Sequence, residues 1–310
     1  MEEKITPYLR NKLTTSSISK QFIKSDDEGL IKLNLDADPL SEDSNEVVPG
    51  LIHKFNNRAL IKVSYLCAAH CRFCTRYRQI GSKDGDMNAF KLKNIKEYLL
   101  NHKEITDVIL SGGDPFYSPK ATINTLEAIG TIKTIMVFRI GTRLPVQNPL
   151  SFKSKLINNL LDSVENVGKQ KPFYILIQIN HPDELSDETL SVIKEFRKRN
   201  LMVLSQTVFL KGVNNEYNIL KNLFEKMYFN GIIPYYIYRC DYVYGAGNFI
   251  CDFEEEKAIM TKLNSNLSGI ACPTYVIDVK GHGKIPVPLN YWDSVDNSNC
   301  LDFKENKFFI

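Results

Sequence analysis

An α/β fold built as a partial (β/α)6 barrel is what the sequence predicts, and two observations carry it. Six short runs rich in β-branched or other apolar residues, at 59–66, 107–111, 134–140, 173–179, 201–207 and 232–238, alternate with amphipathic segments near 92–103, 120–129, 151–165, 185–199 and 216–229. Strand, helix of about 10–15 residues, strand is the pattern of a parallel sheet with right-handed crossovers. The strand runs are also almost continuously apolar, as expected where both faces of a sheet are covered. Six such units point to an open or partial barrel rather than a small doubly wound sheet.

Taken in chain order, residues 1–45 are polar and broken by prolines and acidic residues, with SDDEG and DADPLSED reading as turns. A helical or irregular lead-in packed on the main domain is expected there. The barrel core spans 46–250. Beyond it, a helix at 253–264 opens a C-terminal segment, 251–310, whose tail CPTYVIDVKGHGKIPVPLNY is dense in glycine and proline. No internal repeat of about 20–50 residues is visible. In such folds chemistry gathers at the C-terminal ends of the strands. That rule places Cys67, Ser111–Asp114, Gly141–Arg143, Asn180–His181, Gln206 and Asp241 on one rim.

Composition narrows the class. With 43% hydrophobic and 24% charged residues in 310, the chain is ordinary for a soluble globular protein. A net charge of +3 gives no warrant for a nucleic-acid surface, and the basic runs KLKNIK and FRKRN fall on solvated faces of predicted helices. No apolar run approaches about 18 residues, so no membrane span is expected, and no secretory leader is read. Seven cysteines, an odd number with three clustered, argue for free thiols in a reducing cytoplasm rather than a disulfide framework.

The cluster is CAAHCRFCTR, Cys67 to Arg76, with CxxxCxxC spacing. Thiolates favour iron–sulfur clusters and zinc, and a structural zinc usually takes four protein ligands, often from two CxxC pairs. Three thiols on a loop after a strand can hold three corners of a [4Fe–4S] cube and leave the fourth iron open to a small molecule. Two other readings are buried inert cysteines and zinc with His70 as fourth ligand, although His70 is crowded within the same loop.

CxxxCxxC after a first strand resembles the radical S-adenosylmethionine (SAM) enzymes. More narrowly, the chain is similar to the lysine 2,3-aminomutase family from ITPYL near residue 5 to PLNYW near residue 292, through DPLSED, VPGLIHKFNNR, CAAHCRFCTR, LSGGDP, GTRLP, NHPDEL, QTVFLKGVN, PYYIYRCD and GKIPV. The resemblance implies a partial barrel of the radical SAM type and three cofactors: a [4Fe–4S] cluster, SAM and pyridoxal 5′-phosphate (PLP). It implies Cys67, Cys71 and Cys74 as cluster ligands. Ser111, Gly112, Gly113 and Asp114 would hold the amino end of SAM, and Gln206 and His181 would line the SAM and substrate pocket. Lys284, between glycines in GHGKIP, is implied as the lysine that binds PLP. The PLP phosphate needs cationic donors, for which Lys54 and Arg58 are the candidates; the family commonly has arginine where Lys54 stands. Arg76 would grip the substrate carboxylate in a bidentate fork. Asp241 and Asp278 would hold a distal ammonium, and two acids facing one cavity call for a cation. Asp38 would assist proton handling.

The implied reaction moves an α-amino group from C2 to C3 of a cationic amino acid, L-lysine foremost. Alternatives are an aminomutase serving lysine modification of translation elongation factor P, or one acting on arginine or ornithine. An electron-transfer iron–sulfur protein needs neither a PLP lysine nor pocket acids. The expected partners are the amino acid and a reducing electron donor such as flavodoxin or ferredoxin, with no nucleic acid and no membrane. Long members of the family carry a cysteine-rich C-terminal extension that binds zinc. Here Cys300 is the only cysteine near the end, and Glu216 stands where an internal cysteine would be. No zinc is expected, while a homodimer through other contacts stays open.

Overall fold

The computed structural model describes residues 2–26, 28, 33–82, 85–289, 300–301 and 307–308. The last three residues of PLNYW and the side chain of Cys300 lie outside the described part. Ten strands form one open sheet in chain order. β1 (Glu46–Val48), β2 (Leu51–Phe55) and β3 (Arg58–Ser64) run antiparallel to one another in turn. From β3 the sheet is parallel through β4 (Asp107–Gly112), β5 (Val137–Thr142), β6 (Phe173–Gln178), β7 (Met202–Val208), β8 (Ile232–Tyr238) and β9 (Thr274–Val279). β10 (Gly283–Pro286) turns back antiparallel to β9. The crossovers are α1 (Ala89–Asn101), α2 (Pro119–Ile129), α3 (Lys155–Gly168), α4 (Asp187–Lys198), α5 (Tyr217–Phe229) and α6 (Phe253–Asn266). Each expected strand and helix is present within a few residues, and the fold is the expected α/β partial barrel.

Side-chain alternation decides what each strand does. β4 and β5 bury every second residue, since successive side chains of a strand point to opposite faces. Val108, Leu110, Phe138, Ile140, Ile175, Ile177 and Val203 join the core with Leu126 of α2, Leu160 of α3, Phe196 of α4 and Phe224 of α5. The other parity holds Ser111, Arg139, Gln178 and Gln206, which line a cavity inside the barrel. Four of these six helices start on side-chain caps: Asn88, Ser154, Ser186 and Asp252 each accept a backbone N–H of the first turn. Such caps contribute about 1 kcal/mol apiece.

The Gly/Pro-rich tail contains a hairpin. Gly281 (φ 79°) and Gly283 (φ 81°) take the left-handed conformation that the tight connection requires, and the antiparallel register places Lys284 opposite Asp278. The C-terminal segment thus adds the last two strands to the barrel sheet. At the other end, short helices at Pro7–Arg10 and Ser16–Phe22 pack Leu9, Ile18 and Phe22 against Ala69 of the cysteine loop. No described helix is long and apolar enough to cross a membrane.

Candidate active site

A cavity of about 450 Å³ opens inside the barrel. Cys67, Cys71 and Cys74 line it at one end and Asp241, Asp278 and Lys284 at the other. The cysteine loop leaves the C-terminal end of β3 and is held by its neighbours. Gly113 N donates to Ser64 O at 2.5 Å, and Asp114 N donates to Leu66 O at 2.8 Å. A side chain at either glycine of LSGGDP would collide with this backbone. A Cβ at Gly112, whose φ is 105°, would lie 2.4 Å from Ser64 O, and one at Gly113 would lie 2.3 Å from Leu66 O. The close approach that these glycines allow is therefore to the chain's own cysteine-bearing segment.

All three thiols line the cavity, near enough for the charges of Cys71 and Cys74 to act on Cys67. Glu42 and Asp114, the carboxylates nearest in the lining, are both engaged by protein donors. Among the described residues, no three His, Cys, Asp or Glu side chains are grouped to hold a single metal ion. A soft all-thiol set spread over a loop fits the corners of an iron–sulfur cube. Burial pushes the Cys67 and Cys74 thiols up, Cys74 to about 12, so metal must displace their protons on binding. Cys71 Sγ accepts from Arg143 Nη1 at 2.8 Å and from Gln147 Nε2 at 3.5 Å, a cationic and a neutral donor that suit a thiolate. Arg143 is fixed in turn by Glu184 (2.6 Å) and Gln21 (2.5 Å). His70 lies outside this cavity lining; its ring Nδ1 sits 2.8 Å from Glu2 O. It is no fourth thiol-side ligand.

Three other expected residues are held by protein partners. Asp114 offers nothing to a ligand: its carboxylate accepts from Thr142 Oγ1 (2.9 Å), Arg143 N (2.7 Å), Leu144 N (2.9 Å) and Phe116 N (2.9 Å). It ties the LSGGDP turn to the β5 end, while burial pushes its carboxyl up. His181 is outside the lining and accepts from Asp183 N at 3.2 Å, closing a short turn. Asp38 is outside it too. Its oxygens cap Glu42 N (3.0 Å) and Asp43 N (2.8 Å) and meet Arg78 at 3.1 Å.

The remaining expected residues come together. Ser111 Oγ lies 3.2 Å from Arg76 Nη1, and Gln206 Nε2 donates to Tyr238 Oη at 3.2 Å. Lys54 Nζ bonds Asp278 Oδ1 at 3.2 Å and Leu40 O at 3.1 Å. Lys284 Nζ lies 3.6 Å from Asp278 Oδ2. Burial lowers the Lys284 pKa, with Arg58, Arg139 and Lys54 pushing the same way and Asp278 opposing them. Asp278 is thus compensated by two lysines. The Asp241 carboxylate has no hydrogen-bond or ion-pair partner among the described residues, and burial followed by the Asp278 charge pushes its pKa up to about 7. A second cavity of about 470 Å³ lies behind the two acids, which line both. Its rim includes Asp36, ion-paired to Lys280.

Several site residues escaped the sequence reading. Arg139 lines the cavity with only its Nε committed, to Asp107 at 2.9 Å. Its parity on β5, two residues before Gly141, was the available signal. Tyr235, Tyr236 and Tyr238 line the same wall. Arg143, recognised only as a rim residue, proves to be the partner of a cluster cysteine.

The sequence profile of the radical SAM superfamily matches residues 61–222, the stretch from β3 to α5 that carries the cysteine loop and most of this wall. The site therefore defines a radical SAM protein. The chain is 33% identical over 294 residues to an L-lysine 2,3-aminomutase of Methanococcus maripaludis, covering 93% of this chain and 66% of that one. It is 31% identical over 293 residues to that of Clostridium subterminale, covering 93% and 69%. It is 32% identical over 275 residues to that of Escherichia coli, covering 87% and 77%. The chain belongs to the L-lysine 2,3-aminomutase family. It spans about two thirds of the length of the Methanococcus and Clostridium relatives.

Proposed function

We propose that this protein is a PLP-dependent aminomutase that moves the α-amino group of a cationic amino acid, L-lysine foremost, from C2 to C3. The observation that carries the reading is that the three thiols, the lysine with a lowered pKa and the unpartnered Asp241 carboxylate share one cavity. The cluster with SAM supplies a carbon radical that abstracts hydrogen, and PLP supplies a π-system across which nitrogen can migrate.

The chain's own residues bind and orient. Cys67, Cys71 and Cys74 hold the cluster, with Arg143 and Gln147 fixing the middle thiolate. Lys284 suits PLP attachment because burial and neighbouring guanidinia disfavour its protonated form. Arg58 and Arg139 suit the phosphate. Arg58 stacks on Phe55 at 4.1 Å, its Nε is buried without a partner, and Arg139 keeps its terminal nitrogens uncommitted. Arg76, next to Ser111 at the thiol end, receives the substrate carboxylate. Asp241 receives the distal ammonium, since Asp278 is already neutralised by Lys54 and Lys284. A single-electron donor such as flavodoxin or ferredoxin and a cytoplasmic setting complete the reading.

Anaerobic reconstitution with iron, sulfide, PLP and SAM, followed by product analysis with lysine, ornithine, arginine and glutamate, tests it. Turnover of a cationic substrate to its β-isomer supports the assignment. Turnover of glutamate alone refutes the role given to Asp241.

A further inference from the structure

Arg76 is gripped from two sides. Its side edge is taken by Glu42, with Nε 2.8 Å from Oε2 and Nη2 2.5 Å from Oε1. Its Nη1 reaches inward to Ser111 Oγ at 3.2 Å and Gly112 O at 3.3 Å. The Glu42 side chain is 6% exposed, and the Arg76 charge holds its carboxyl below the usual range despite that burial. The lead-in spends several devices on delivering this one carboxylate. Ser41, immediately before it, sits at φ 54°, a left-handed conformation unusual for a residue with a side chain. Such outliers persist where the surroundings over-determine them, often at functional sites. Asp38 caps the turn through Glu42 N and Asp43 N, and Arg78 locks Asp38 and Asp43 together.

We infer that Glu42 is the positioning residue of the carboxylate site. It occupies the Nε–Nη2 edge so that the guanidinium cannot rotate, and the inner Nη end is the one presented to the amino acid. A guanidinium carries five donors in a fixed fork; Glu42 holds Nε and Nη2, and a planar carboxylate would take the Nη1 side in place of its contacts to Ser111 Oγ and Gly112 O. The inference rests on the assignment of Arg76 to the substrate carboxylate, and it assigns to the DPLSED segment a role in that site that the turn reading did not foresee.

The test uses reconstituted holoenzyme and compares wild type, E42Q and E42D with lysine and with lysine carboxamide. E42Q is expected to raise KM for lysine at least about tenfold while kcat stays within about threefold, and to lose most of the preference for lysine over the carboxamide. E42D, which keeps the charge on a shorter arm, recovers part of both. A merely structural residue would move kcat and cluster content and leave the carboxylate preference intact. Should E42Q fail to take up the cluster, S41V is the second variant. A β-branched residue resists the left-handed turn and misaims Glu42 without removing it, so the same KM rise is expected. An unchanged or lower KM in the folded variants overturns the inference, a lower one identifying Glu42 as a competitor for Arg76. If wild type turns over no cationic amino acid, the function reading fails and this inference falls with it; if wild type does and KM is untouched, only this inference falls.

Discussion

Lys284 and Asp278 face each other across the β9–β10 hairpin as a cross-strand pair, with Nζ 3.6 Å from Oδ2. Antiparallel register therefore does what sequence spacing alone could not: a gap of six residues brings the amine and the acid to one point. The pair sits among Arg58, Arg139 and Lys54, so the amine is both restrained by an anion and discouraged from holding its proton. K284A is expected to abolish the visible absorbance of bound PLP and to lower aminomutase turnover by about 10²–10⁴-fold, the range associated with a positioned reactive side chain. Absorbance titration with PLP, followed by product analysis, checks both.

If Asp241 receives the substrate ammonium, the activity depends on pH. Burial and Asp278 raise its carboxyl to about 7, and only the ionised form attracts an ammonium. kcat/KM for lysine should therefore rise as pH increases through about 7. D241N should flatten that limb and lower kcat/KM by about 10- to 150-fold, the worth of a hydrogen bond to a charged group. Stability runs the other way. An unfolded aspartate titrates near 3.9, so between about pH 4 and 7 the folded state holds the extra proton and stability falls as pH rises. Metal-free D241N should melt higher than wild type above pH 7 and lose that advantage below about pH 4. Thermal melts across this range give the answer.

The strands and helices were legible because hydrophobic period separates them, and chain order supplied the parallel topology. The β9–β10 hairpin was not legible. No strand was read in the Gly/Pro-rich tail, although two left-handed glycines flanking a short turn are what a hairpin needs. At the site, cysteine spacing was readable because thiols have few other uses at that density. Asp114, Asp38 and His181 share a trait that sequence does not show: each accepts from backbone N–H groups of its own turn or a neighbouring one, and only geometry tells that use from ligand binding. Glu42 was hidden in an acidic run that reads as a turn. Arg139 was hidden inside an apolar run, where strand parity with Ser111 and Gln178 marks it as inward-facing.

The glycines of LSGGDP give a prediction independent of activity. A methyl group at Gly113 must move the Leu66 backbone, which leads straight into Cys67. G113A is expected to cost about 1–3 kcal/mol, as overpacking usually does, and to reduce iron incorporation along with stability. Urea denaturation of the metal-free protein and iron quantification after reconstitution separate the two effects. Normal stability with normal iron content would show that the loop tolerates the shift.

Arg58 and Arg139 approach the Lys284 end of the cavity from β3 and β5, two strands apart, and neither terminal guanidinium group is committed to a protein carboxylate. Two cations in one lining with only Asp107 paired to them, through the Arg139 Nε, favour an added anion, and a phosphate accepts bidentate guanidinium contacts well. If this is the PLP phosphate site, R58M and R139M should each weaken PLP binding by about tenfold or more, corresponding to a charge-assisted bond of about 1.5–3 kcal/mol. The loss should be far smaller for pyridoxal, which lacks the phosphate, so the ratio of the two affinities reports the contact itself. Because Arg139 also bonds Asp107, D107N serves as the control: it removes the Asp107 charge and leaves the Arg139 guanidinium in place, so the ratio should stay near that of wild type. An equal loss for both forms of the vitamin would move the phosphate elsewhere in the cavity, with Lys54 the next cation to test.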